Sequence, residues 1–92
     1  MSLDTLVWET CDTLRGRGLE VSPGVVKATV QIGRHLLQQH EQLRGPDLID
    51  AVVTRLRRER ILLSAATTGA ILHAYATVYQ EMEVLEISDV RT

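Results

Sequence analysis

Cys11, His35, His40 and His73 are the side chains in this sequence that could ligate a transition metal or act as a nucleophile and its base. Asp47 and Asp50, about one helical turn apart, could share a cation or a proton. Spacing argues against each use. His35 and His40 stand five positions apart, where two ligands on one helical face need a separation of about three or four. No His-Glu-x-x-His, Cys-x-x-Cys or Gly-x-Ser-x-Gly pattern occurs. Cys11 falls on an apolar stripe and reads as core. His73, with Gly69 and Thr77 one turn to either side, reads as a surface or partly buried histidine. Asp47 and Asp50 stand at the start of a helix, where carboxylates offset the partial positive charge of the free N–H groups. Gly16-Arg17-Gly18 follows a helical segment instead of a strand, so it is not a dinucleotide-binding loop. Neither catalysis nor a cofactor is expected.

The remaining chemistry is cationic. Arg15 and Arg17 close one helical segment, and Arg55, Arg57, Arg58 and Arg60 close another. If the segments stack as hairpins, these ends lie along one edge and form a ridge able to contact phosphates. The plainer alternative is a solvated helix end in which Glu59 pairs with Arg55. The net charge of −2 removes the footprint of a strongly basic nucleic-acid binder. Trp8, Tyr75 and Tyr79 are the only aromatic residues, so platforms for stacking bases are scarce. The helical spacing of Tyr75 and Tyr79 suits a core.

Helices must position these groups. Leu3, Leu6, Val7, Cys11 and Leu14 recur at helical spacing, with Ser2 or Asp4 as cap, and Gly16 and Gly18 end the run. Ser22-Pro23 supplies an N-cap and a pre-set first residue for a second helix. Its face is Val25, Val26, Val30, Ile32, Leu36 and Leu37, and it is expected to reach about Leu43 before Gly45-Pro46. A third helix follows Pro46, with Leu48, Ile49, Val52, Val53 and Leu56 as its buried stripe. Ser64 caps a fourth, which contains Ile71, Leu72, Tyr75, Val78, Tyr79 and Met82. The acidic tail from Glu83 is expected to fray, and Val84-Leu85-Glu86-Ile87 is compatible with helix or extended chain.

Ninety-two residues, 45% hydrophobic and 24% charged, make one small globular domain, residues 1–92. A chain of this length buries only about 60 to 65% of the surface its unfolded form exposes. A single cysteine excludes a disulfide-rich scaffold and is compatible with a reducing, intracellular setting. No charged segment followed by an apolar run opens the sequence, so no secretory signal is expected. Residues 61–80 lack formal charge and follow the basic cluster, which raises the question of a membrane span. Ser64, Thr67, Thr68, Gly69, His73 and Thr77 dilute the stretch, and a span is not favoured.

Sliding the chain by about 42 residues aligns its halves. Leu6 meets Leu48, Leu14-Arg15 meets Leu56-Arg57, Ser22 meets Ser64 and Ala28 meets Ala70. Val7, Cys11, Leu19, Val21 and Val30 meet Ile49, Val53, Ile61, Leu63 and Leu72. Segments 6–45 and 48–87 thus read as two units, each a helix, an arginine-bearing end, an apolar pair, a serine cap and a helix. Two units are fewer than the roughly three that an independent helical array needs, so dimerisation or excision from a longer array is expected.

Leu14 to Ser22, and Leu56 to Ser64 followed by Ile71-Leu72-His73-Ala74-Tyr75, resemble the junction between repeats in pentatricopeptide-repeat proteins. That resemblance, over about half the chain, implies an α-solenoid that binds single-stranded RNA. It places Lys27 and Gly69 at the base-reading position, where the family usually has Asn, Ser or Thr. Val7-Trp8, Asp12, Leu14, Gly18, Ser22 and Val26-Lys27 are also spaced much as in the DNA-binding region of plasmid KfrA-like proteins, which implies a helix-turn-helix.

The expectation is therefore an all-α domain of four helices arranged as two similar helical hairpins, solenoid-like or as a bundle. Its expected role is a non-catalytic interaction module in protein assembly. RNA binding of the pentatricopeptide-repeat kind, or DNA binding by a small helix-turn-helix regulator, are the alternatives. Arg15, Arg17, Lys27, Arg55, Arg57, Arg58 and Arg60 are the candidate nucleic-acid contacts.

Overall fold

A computed structural model describes residues 2–40 and 42–91, with side chains as far as Met82. Four helices account for the fold: α1 (Leu3–Gly16), α2 (Pro23–Gln39), α3 (Gly45–Arg58) and α4 (Ala65–Arg91). The described residues contain no strand.

Serines start three of the helices. The Oγ atoms of Ser2, Ser22 and Ser64 accept hydrogen bonds from the backbone N–H groups of Thr5, Val25 and Thr67 at 3.2, 3.3 and 3.1 Å. Each satisfies a donor that has no partner within its helix. Pro23 follows Ser22, where its missing N–H costs nothing. α3 has no side-chain cap and opens on Gly45-Pro46, with Asp47 in its first turn.

The turns that end α1 and α3 share one backbone plan. Leu19 N–H donates to Leu14 C=O at 2.9 Å and Gly18 N–H to Arg15 C=O at 3.0 Å. Ile61 donates to Leu56 and Arg60 to Arg57 at the same two distances. This is the Schellman closure, which needs a left-handed residue and an apolar contact just beyond it. Gly18 supplies the first with φ +83°, and Arg60, about 42 residues later, with φ +64°. Leu19 and Ile61 supply the second by packing onto the core. Arg60 carries a Cβ into a region that costs an L-residue roughly 1 to 2 kcal/mol.

α2 ends at Gln39 rather than near Leu43. His40 breaks the helical dihedrals, and Leu43 N–H turns back to its carbonyl at 3.0 Å. That early exit brings Leu43 onto the apolar cluster around Leu36, Val52 and Leu56. At the other end of the chain, α4 keeps helical backbone through Arg91, which decides the Val84–Ile87 stretch in favour of helix. Whether the tail's side chains fray lies outside the described residues.

Two clusters form the core. One unites Val7, Cys11 and Leu14 of α1 with Val26 and Val30 of α2 and with Ile71 and Ala74 of α4. The other centres on Leu36, Val52 and Leu56 and takes in Ile32, Ile61 and Leu72. Leu63 packs against both. α1 therefore touches α2 and α4, α3 touches α2 and α4, α2 touches α4, and among the described residues no Cα of α1 comes within 8 Å of one in α3. In an open stack of hairpins the first helices would lie side by side. Here α2 and α4 form the shared middle, and the four helices close into a bundle. Gly33 admits that closeness, since a Cβ there would meet Leu72 Cδ2 at 3.0 Å.

Buried threonines expose one flaw in this core. Thr10 and Thr29 return their hydroxyls to the carbonyls of Leu6 and Val25 at 2.6 and 2.8 Å, the usual way a helix accommodates a buried hydroxyl. Thr68, equally buried, leaves Oγ1 without a hydrogen bond. About 42 residues earlier stands Val26, fully buried and apolar. A buried hydroxyl without a partner costs about 1 to 3 kcal/mol, and valine has nearly the same shape. Thr68→Val should therefore raise the unfolding free energy by about 1 kcal/mol or more, read from the urea midpoint at unchanged slope.

Candidate functional site

The cationic residues fall into two groups with different surroundings. In the first half, Arg15 Nη1 lies 3.3 Å from Asp12 and its Nε lies 3.8 Å from Glu20. Lys27 Nζ lies 3.0 Å from Asp4. Arg17 donates to Nδ1 of His73 at 3.2 Å, which fixes that nitrogen as the acceptor because a guanidinium has no lone pair to offer. These contacts are solvent-exposed and contribute little to stability, yet they offset the charges of Arg15 and Lys27. In the second half, Arg57, Arg58 and Arg60 are exposed and form no ion pair among the described residues. Arg55 is half-buried on α3, and the expected pair between Arg55 and Glu59 does not form. Glu59 is exposed, and at such a site holding two flexible chains in one geometry gains almost nothing.

Cys11 is buried, and its thiol lies 3.9 Å from the carbonyl of Val21. Burial pushes its pKa up; Arg15 works against that and Asp12 with it. A thiol held in that form is a poor nucleophile. Asp47 lies in the first turn of α3, and His73 is exposed beside Arg17. Among the described residues no three His, Cys, Asp or Glu side chains are grouped closely enough to hold a metal ion. No helix there is long and apolar enough to cross a membrane.

A groove between α2 and α4 is the feature that sequence reasoning missed. It encloses about 440 Å³, within the size range of natural binding pockets. Gly33, Leu72 and Ala76 line it, with Leu37, Tyr79 and Arg34 beside them. The absence of a side chain at Gly33 contributes to the hollow. Leu37 and Tyr79 were expected on buried faces, but both are exposed, Tyr79 by 48%. Leu36 and Leu37 differ by about 100° around the helix axis, so when Leu36 enters the core its neighbour turns outward. Tyr75 and Tyr79 sit one turn apart with ring centroids separated by 6.1 Å and planes at 40°, a tilted aromatic contact. Burial raises the pKa of the Tyr75 phenol, and the Arg34 guanidinium nearby opposes the shift. The groove offers apolar surface, aromatic edges, the Arg34 guanidinium and the polar side chains of His73, Thr77 and Gln80. A face of this composition suits association. The signals that could have revealed it are Gly33 in the middle of α2 and an apolar stripe too wide for one face. No family model matches the chain, and no curated protein and no solved structure shows a significant likeness to it.

Proposed function

We propose that this domain is a non-catalytic helical interaction module that acts in protein assembly, through self-association or within a larger complex. The α2–α4 groove carries the reading. Leu37 and Tyr79 stand exposed beside an apolar hollow in a chain whose size leaves little core to spare. Covering such a face removes apolar surface from water, at about 25 cal/mol for each Å² buried. An aromatic residue at the rim of a groove is also the kind of side chain that dominates association energy.

Light scattering on the purified chain at micromolar concentration tests self-association. The expected result is a dimer or larger species that Leu37→Glu converts to monomer with unchanged helical circular dichroism, since Leu37 is not a core residue. A wild-type monomer would remove self-association and leave only a heterologous partner.

Nucleic-acid binding is the second reading, supported by the unpaired Arg57, Arg58 and Arg60. It requires salt-sensitive affinity for single-stranded RNA, on the pentatricopeptide-repeat resemblance, or for duplex DNA, on the helix-turn-helix one.

A further inference from the structure

The two Schellman turns share a backbone plan but not a surface, so each serves as the control for the other. Gly16, Gly18 and Glu20 in the first turn correspond to Arg58, Arg60 and Leu62 in the second, about 42 residues on. The first turn makes the same hydrogen bonds with Gly, Gly and Glu at these positions, so closure of the turn requires neither the arginines nor the leucine. At position 60 the backbone even works against the side chain, because Arg60 holds the left-handed φ of +64° that Gly18 adopts freely. A strained residue at an exposed turn points to a role outside folding.

Charge and exposure give that role a chemistry. Arg15 of the first turn is offset by Asp12 and Glu20, whereas its counterpart Arg57 has no ion partner among the described residues. Arg58 and Arg60 are equally unpaired, and Glu59 is the single opposing charge in the turn. Leu62 is 79% exposed, the most exposed large apolar residue of the described chain, while its neighbours Ile61 and Leu63 pack inward. An exposed aliphatic side chain thus follows three exposed, unpaired arginines within a few residues of one turn.

We propose that the α3–α4 turn is a docking site for an anionic phospholipid surface, with Arg57, Arg58 and Arg60 on headgroup phosphates and Leu62 in the apolar boundary beneath them. Guanidinium groups match phosphate geometry, and basic residues next to an inserted aliphatic one form the pattern of interfacial attachment. A nucleic acid would use the arginines but gain nothing from Leu62, because bases stack on aromatic rings. With three arginines and one leucine the attachment is weak and reversible. It involves the α3–α4 turn and not the α2–α4 groove, so it is independent of self-association.

Co-sedimentation of the full chain with sucrose-loaded vesicles tests the proposal, using phosphatidylcholine alone and with about one third phosphatidylglycerol, at low and physiological salt. Binding is expected to the anionic vesicles only, and to weaken with salt. Arg60→Gly should lower the partition coefficient about fivefold while raising the melting temperature, because it relieves the backbone and removes the contact together. Leu62→Gln should lower partition with unchanged circular dichroism. Absence of binding to anionic vesicles overturns the proposal, as does binding indifferent to Leu62. Arginine-dependent capture of a single-stranded RNA or a duplex by a chain that ignores vesicles would assign the turn to nucleic acid instead.

Discussion

Leu56→Ala should lower the free energy of unfolding by about 3 to 4 kcal/mol, the upper part of the range for a leucine truncated in a core that cannot collapse around the hole. Leu56 is fully buried at the centre of its cluster, against Leu36 and Val52. Its carbonyl also accepts the N–H groups of Glu59 and Ile61 at the end of α3. A cavity there is flanked by backbone already committed to hydrogen bonds, which leaves little freedom to fill it. Leu14 holds the corresponding place in the first half, 1% exposed and accepting from Arg17 and Leu19. Leu14→Ala should cost a similar amount. A domain of this size has a stability near the low end of about 5 to 15 kcal/mol, so either change places the chain close to its folding threshold. Urea denaturation followed by circular dichroism measures both. Because α2 and α4 contribute to both clusters and Leu63 packs against each, both variants should shift a single transition at unchanged slope. Two separated transitions would contradict a shared core.

The second large effect concerns the halves themselves. A chain cut between α2 and α3 should give two segments that each fail to fold alone and regain helix when mixed. Val7, Cys11 and Leu14 of the first half bury themselves partly against Ile71 and Ala74 of the second, so an isolated half exposes that face to water. Two helices without a third layer bury too little apolar surface to offset the ordering of their backbones. Circular dichroism of each half, and of an equimolar mixture, checks this. A sigmoidal melt from one half alone would show that the hairpin is the folding unit.

Much of this arrangement is legible in sequence because it is local. Ser22-Pro23 and Ser64 mark helix starts through chemistry confined to a few residues, and Leu14 and Leu56 fall on their stripes at helical spacing. The shift of about 42 residues also shows that the halves resemble each other. It does not show how they pack, because a stack and a closed bundle bury the same apolar stripes. The exit of α2 at Gln39 was hidden for a similar reason: Leu43 leaves the helix to reach Val52 and Leu56, a contact made across the fold. Leu37 and Tyr79 looked like core because a count of apolar residues ignores the 100° step between neighbours on a helix. Among the arginines, composition could not separate Arg15, which Glu20 reaches from across a turn, from Arg57, which has no such neighbour.

The placement of α1 on α4 and of α3 on α2 gives the short connection between Gln39 and Gly45 a role beyond joining helices. It keeps contacts between the two halves within one chain. Shortened below the span it has to cross, the connection would leave both core clusters intact as interfaces but available only between two molecules, and the domain would assemble as a dimer with exchanged halves.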